Sequence, residues 1–276
     1  MKLPRIRLVL TLAVVFVGRA APANAQQRVG IPVRLQPYTD TIPGALLSFT
    51  MLPIPAGSIE MPSAHGPVTV AVPAFWIAKT EVTWDVYDIF AFRLDVPRED
   101  RPKVDANARP SRPYGAPDRG YGHAGYPAIG MTGTAAEAFA AWLSAKTGHS
   151  YRIPTEAEWA RAAAAAFGDR PLSRQRVEAV AWSADNAGGQ THPVGQKLDD
   201  QVGVHDLLGN VAEWVTTADS GFAVRGGSFR DPAGRLTIAL SVRQDSTWNQ
   251  TDPQIPKSRW WLSDAPFTGI RLVRVP

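Results

Sequence analysis

The chain has 276 residues, with 29 Lys and Arg against 25 Asp and Glu, and no cysteine. Disulfide scaffolds, thiolate nucleophiles and thiolate metal centres are thereby excluded. The basic excess sits at the front: without Lys2, Arg5, Arg7 and Arg19, 25 basic residues face 25 acidic ones, so charge gives no case for a nucleic-acid or anionic-membrane partner.

In chain order, Lys2, Arg5 and Arg7 lead into an apolar run from Leu8 to Val17, and Ala23-Asn24-Ala25 follows. This is the pattern of an export signal cleaved before Gln26. The run is shorter than the roughly 20 residues of a membrane span; a buried strand or an uncleaved anchor is the other reading. The expectation is a periplasmic or secreted chain, with residues 1–25 as signal, 26–46 as a lead-in and one domain over 47–276.

Val68 to Val72 and Phe75 to Ala78 read as short strands. A helix is expected near Thr83, where Trp84, Tyr87 and Phe90 to Phe92 recur at helical spacing. Residues 97–127 are rich in Pro, Gly and Arg and show no periodicity. Thr134-Ala135-Ala136-Glu137 reads as a capping box that opens a helix with Phe139, Trp142 and Leu143 on one face and Gly148 as its stop. Thr155-Glu156-Ala157-Glu158 is a second capping box, leading into an alanine-rich helix that ends at Gly168. Ala223 to Arg225, Leu236 to Val242 and Ile270 to Val275 are further strand candidates. Periodicity alone supports a mixed α+β, loop-rich domain.

Four runs carry more information than the periodicity: Arg152-Ile153-Pro154-Thr155-Glu156-Ala157-Glu158-Trp159, Gly209-Asn210-Val211-Ala212-Glu213-Trp214, Arg225-Gly226-Gly227-Ser228-Phe229 and Gly269-Ile270-Arg271. Ile54-Pro55-Ala56-Gly57 and the run from Phe75 to Thr83 precede them. In this order they resemble the formylglycine-generating enzymes, or sulfatase-modifying factor family, over about Leu47 to the C-terminus. The resemblance implies a variant of the C-type lectin fold, with few short strands, peripheral helices and many ordered loops.

In that family a cysteine pair shortly after the RGGS-like run binds copper(I) and oxidises a substrate cysteine to formylglycine. The matching stretch here, Arg230 to Ser241, offers Asp231, Arg235, Thr237 and Ser241 instead. Hydroxyls and carboxylates do not replace thiolates for copper(I). Copper is therefore not expected, and no catalytic residue is assigned. The resemblance also implies a calcium site at Asp206, Gly209, Val211 and Glu213, where two carboxylates and carbonyls on one turn suit a hard cation. The other reading is that both carboxylates merely accept turn N–H bonds. A second calcium position near Asn186 lacks a clear acidic partner.

Ser228 follows paired glycines and not a G-x-S-x-G elbow, so a turn serine is expected. His65, His123, His149, His192 and His205 form no H-x-x-x-H pair. A metal triad would need their convergence in space, with His123 and His192 the two to follow, while His149 beside Gly148 suits a helix dipole. Arg243, Asp245, Trp248, Arg259, Trp260 and Trp261 share the late loop and suit a sugar or an extended peptide. Alternatively, the indoles pin that loop to the core.

Three functions follow. One is an exported module binding a peptide, glycan or protein partner; this is the reading expected here. The others are a modifying enzyme with cysteine-independent chemistry, and an accessory protein to an exported sulfatase or other hydrolase. No membrane association is expected once the signal is removed, and oligomeric state is not legible.

Overall fold

Short apolar runs separated by Gly and Pro give short strands, and most of the chain between them is turn and loop. The computed structural model describes residues 35–276, apart from 106, 114, 169 and 170. The export signal expected at residues 1–25, and the lead-in as far as residue 34, lie outside the described residues.

Strands β1 (Tyr38–Thr41), β2 (Ser48–Ile54), β3 (Gly57–Met61), β4 (Val68–Val72) and β5 (Phe75–Ala78) come first, followed by helix α1 (Trp84–Ala91). Next come α2 (Gly133–Thr147), β6 (Tyr151–Arg152), α3 (Glu156–Phe167) and α4 (Arg174–Val180). Strands β7 (Ala212–Thr216), β8 (Phe222–Arg225), β9 (Ser241–Arg243), β10 (Thr268–Gly269) and β11 (Val273–Arg274) complete the order. They form a five-stranded sheet β1-β2-β5-β11-β6, a four-stranded sheet β10-β7-β8-β9 and the hairpin β3-β4.

The last strands join the two larger sheets. β10 runs parallel to β7, placing Gly269 opposite Glu213. Three residues later β11 lies antiparallel between β5 and β6, with Val273 opposite both Ile77 and Arg152. The strand expected from Ile270 to Val275 is therefore broken, because residues 270–272 cross from one sheet to the other. That crossing is pinned by Val82 N–H on the Ile270 carbonyl (2.8 Å) and Ala78 N–H on the Leu272 carbonyl (2.9 Å). It also leaves Arg271 between the sheets.

The strand expected from Leu236 to Val242 shrinks to β9; its front end is a 3-10 turn, Ala233–Arg235, that buries Leu236. α4 was not anticipated. It is short, and its start signal is the single Ser173 hydroxyl accepting from Arg176 N–H.

α3 forms as its sequence dictates. Thr155 Oγ1 accepts from Glu158 N–H at 3.2 Å, and Glu158 Oε2 accepts from Thr155 N–H at 2.9 Å. α2 differs from expectation. Its cap is Thr132, which accepts from Ala135 N–H at 3.0 Å, while Thr134 lies exposed within the first turn. Pattern alone does not separate two threonines two residues apart. Gly148 ends α2 at φ 77°, a conformation only glycine adopts without strain.

Two buried clusters flank the sheets. One joins α1 and α2 through Trp84, Tyr87, Phe90 and Phe139 to Trp214 of β7. The other packs Trp159 and the alanines of α3 against Ile54, Phe75 and Ile77. Replacing the true cap, Thr132→Ala, is expected to cost about 1 kcal/mol in urea unfolding, whereas Thr134→Ala changes stability by less than about 0.5 kcal/mol.

Candidate functional site

The four sequence runs converge on one buried carboxylate. Glu213 and Arg271 are both fully buried. Arg271 Nε donates to Glu213 Oε1 at 2.7 Å, and its Nη2 lies 2.7 Å from the same oxygen. Trp159 Nε1, from the end of the first run, donates to Glu213 Oε2 at 2.7 Å. The remaining guanidinium donors reach the carbonyls of Ala78 (2.9 Å) and His205 (2.8 Å). The third run enters through its backbone: Gly209 N–H donates to the Gly226 carbonyl at 3.1 Å.

The glycines are required by this packing. A Cβ on Gly209 would lie 2.3 Å from the Trp182 carbonyl oxygen, and one on Gly226 would lie 2.6 Å from that of Leu207. Both also hold positive φ. Asn210, at φ 51°, is buried and bonds in every direction: its Nδ2 donates to Glu81 Oε2 at 2.8 Å and its Oδ1 accepts from His192 N–H at 3.0 Å. Burial, and next the charge of Asp206, hold Glu81 well above the usual carboxylate range. Burial works against the Arg271 charge, but Glu213 outweighs it and raises the guanidinium further.

This geometry bears on the residues matching the family's calcium position. Asp206, at φ 55°, accepts from Gly195 N–H through Oδ2 at 2.6 Å and keeps Oδ1 buried without a partner. That oxygen is the one carboxylate atom of the expected calcium set left without a hydrogen-bond partner. Glu213 does not fit as its second anionic ligand. Both oxygens already accept from Arg271 and Trp159, and a divalent ion there would stand against the guanidinium. The positive charge that Glu213 faces is Arg271.

Beside this hub opens a cleft of about 210 Å³. β7 and β8 contribute Ala212 and Val224, and Leu240 and Val242 line it beside Trp248 and Phe267. Ser228, Arg230, Asp231 and Arg235 supply its polar groups. Asp231 Oδ2 accepts from the Ser228 N–H (3.0 Å) and hydroxyl (3.1 Å), which closes the turn, and Oδ1 lies 3.4 Å from Arg235. Ser228 is buried and has no histidine beside it in this cleft, so its hydroxyl is a turn element. Ser241 lies outside the lining and donates to Glu156 Oε1 at 2.6 Å.

Of the expected site residues, the structure thus gathers Asp231, Arg235 and Trp248. Arg230, Val242 and Phe267 were missed, because only the pairing of distant strands brings them together. The late-loop set is dispersed. Trp248, Trp260 and Trp261 are 7%, 4% and 7% exposed, so the indoles anchor the loop, and of the three only Trp248 borders this cleft. Trp261 Nε1 donates to the Ser111 carbonyl at 2.8 Å, and Arg259 lies over the Trp260 ring at 4.9 Å. Arg243 is held by Asp219 at 2.9 Å, and Asp245 caps the Ser246–Asn249 turn; both line a wider, open groove with Lys257.

Three of the histidines are occupied as well. His123 Nε2 faces Asp88 at 2.9 Å and Nδ1 faces Asp118 at 2.8 Å. Burial opposes the charged ring, but the two carboxylates outweigh it and raise the His123 pKa. His192 stacks on Trp182 at 3.7 Å, and its Nε2 donates to the Ala187 carbonyl at 2.9 Å. His149, expected to serve the α2 dipole, instead bonds Asp40 through Nδ1 at 2.7 Å. That partner lies on β1, far away in sequence. Among the described residues, no three His, Asp or Glu side chains converge as a ligand set.

Comparison with known proteins follows the same outline. The model of the sulfatase-modifying factor enzyme 1-like domain matches residues 46–274. Two curated relatives are each 33% identical over short stretches. Formylglycine-generating enzyme of Mycobacterium tuberculosis matches over 119 residues, 38% of this chain and 38% of that protein. Chaperone protein LppX of Paenibacillus barcinonensis matches over 86 residues, 24% of this chain and 31% of that protein. The matches therefore span about a third of those relatives' length.

Among solved structures, Treponema denticola variable protein 1 has a TM-score of 0.63 at 22% identity, over 88% of this chain and 100% of that one. PvdO from Pseudomonas aeruginosa has 0.54 at 22%, over 82% and 94%. CarF has 0.54 at 21%, over 82% and 98%. At these identities the likeness shows the fold, which is the loop-rich α+β fold that the sequence resemblance implies.

Removing one partner of the buried pair strands a charge, so Arg271→Met and Glu213→Ala are each expected to cost about 3–5 kcal/mol in urea unfolding. A cost below about 1 kcal/mol would contradict the role given to the pair.

Proposed function

This chain belongs to the sulfatase-modifying factor family, and from that premise we propose that it is an exported, cysteine-free member that binds an extended peptide in its cleft and does not oxidise one. The observation that carries this reading is the stretch Arg230 to Ser241. It matches the family's copper-binding cysteine pair, and here it contributes Arg230, Asp231, Arg235 and Leu240 to an apolar-walled cleft. No thiolate stands anywhere in the chain to hold copper(I).

The sheet edge favours a peptide over a glycan. β9 is the outer strand of its sheet and Val242 lines the cleft. Among the described residues, Ser241 to Arg243 make no backbone bond beyond those to β8. An added strand finds unpaired ladder groups there, with pockets for alternate side chains. The name of one relative, a chaperone protein, accords with holding a chain. Cysteine-independent modification receives less support, since Asp231 is the cleft's one carboxylate among the lining residues and is spent on a turn.

The test pairs binding with chemistry. A pool of extended peptides is expected to bind and to perturb Trp248 fluorescence. Val242→Asp, at an exposed edge position, weakens that binding about tenfold by placing a charge on the apolar wall. A cysteine peptide incubated with copper(I) and the protein stays unchanged by mass spectrometry. Conversion to the aldehyde would overturn the reading, and conversion to any other product would favour altered chemistry.

Calcium belongs to the same proposal in a narrower form, held by Asp206 Oδ1 and carbonyls of the Gly209–Val211 turn. There it supplies charge and no chemistry. In protein recovered from the exported fraction, the chain is expected to start at Gln26. Calcium added after chelation raises its melting temperature, and Asp206→Asn removes that rise. An unprocessed N-terminus, or a melting temperature indifferent to calcium, speaks against the respective part.

A further inference from the structure

Arg230 stands apart from the other arginines near the cleft. Arg235 has Asp231 at 3.4 Å, Arg243 has Asp219 at 2.9 Å, and Arg225 has Glu156 at 3.4 Å. Arg230 has no carboxylate within ion-pair distance among the described residues. Its side chain makes one hydrogen bond among them, from Nη2 to the Tyr121 hydroxyl at 3.2 Å, so Nε and Nη1 remain free.

The guanidinium is nevertheless held in place. It lies 5.5 Å from the Phe229 ring centre and 5.6 Å from that of Phe267, the latter a wall of the cleft. Two aromatic rings contact the cation without neutralising it. Arg119 adds positive charge nearby. Its donors go to the carbonyls of Leu262, at 2.6 Å, and Ser263, not to a carboxylate. Burial depresses the Arg119 pKa, the Asp264 carboxylate works against that, and the Arg230 charge adds a smaller depression. The mouth of the cleft thus carries an oriented guanidinium with free donors, next to an apolar space of about 210 Å³.

We propose that this cleft selects peptide segments carrying a carboxylate beside an apolar side chain, with Arg230 receiving the carboxylate and the Val224, Leu240, Val242 and Trp248 walls receiving the apolar group. The inference rests on the peptide-binding reading above and adds its selectivity. Nη2 keeps a second hydrogen beside the one on the Tyr121 hydroxyl, so with Nε or Nη1 it offers a two-donor edge to a carboxylate, and such charge-assisted pairs are about twice as strong as neutral hydrogen bonds. The space fits one large apolar side chain and little more. The carboxylate has two sources, the free C-terminus of a chain or an acidic residue within it.

The experiment uses three acetylated hexapeptides with one phenylalanine near the end, titrated against the mature protein by calorimetry. The first ends in a free acid at phenylalanine, the second in an amide, and the third in an amide with glutamate beside the phenylalanine. A carboxylate-bearing probe is expected to bind at least about tenfold more tightly than the neutral amide. That advantage disappears in Arg230→Gln, returns in part in Arg230→Lys, and shrinks with added salt. Preference for the free acid or for the glutamate peptide identifies the source.

Equal binding of all three probes overturns the carboxylate selectivity and leaves the peptide-binding cleft standing. Binding by none of them overturns both. An advantage that survives Arg230→Gln in folded protein, checked by circular dichroism, also overturns the assignment to Arg230.

Discussion

The structure depends on a single buried ion pair, Glu213 with Arg271, closed on its other side by the Trp159 indole. Taking both charges out of water costs several kcal/mol per ion, so the arrangement holds only if every remaining donor and acceptor is satisfied. Those donors are spread over the chain. Arg271 needs carbonyls from Ala78 and His205, and Glu213 needs Trp159 from α3. Each partner fixes a separate segment, so the pair works as a register mark for β5, β7, α3 and the crossing between β10 and β11. The turn before β7 must then pass tightly under Trp182 and beside Gly226, which is why glycine stands at 209 and 226.

This explains what was legible in the sequence. The four motif runs stand out because each supplies one fixed part of the hub, and no side chain of another kind satisfies the same bonds. α3 was readable because its capping box is local, and β4 and β5 because their apolar runs end in turn residues. The cap of α2 was misplaced by two residues, since Thr134 and Glu137 imitate the same pattern while Thr132 makes the bond. β6 and β10 are two residues long and have no signal of their own; they exist only through their long-range partners. His149 was assigned to a helix dipole because its actual partner, Asp40, lies on the first strand.

The site was less legible than the frame for the same reason. Asp231, Arg235 and Trp248 were within reach of a sequence reading, since they sit in or near the stretch after the paired glycines. Arg230 was named only as the first residue of the stretch matching the family's cysteine pair. Its significance comes from Phe267 beneath it and from a missing counter-ion, neither of which one-dimensional spacing reports. The tryptophans of the late loop carried the opposite lesson. Their number left open an aromatic binding face or an anchor for the loop, and their burial favours the anchor.

Frame and site are thus separable in this domain. The residues that mark the family belong to the hub, and none of the four motif runs needs a cysteine to do its structural work. A cleft beside the hub is free to change its chemistry while the hub remains, consistent with one scaffold serving several functions. On the reading proposed above, arginine and apolar walls line the cleft where the family resemblance implies thiolate donors, an arrangement suited to recognition.

Native-state hydrogen exchange of the Gly209, Asn210 and Val211 amides, together with the Trp159 indole N–H, tests the central claim most directly. If the Glu213–Arg271 pair is the constraint on which the sheets depend, these protons exchange only through global unfolding, with the same free energy as the interior of α3. Exchange by a local opening well below that free energy would show that the turn and its ion pair release independently, and would contradict the account.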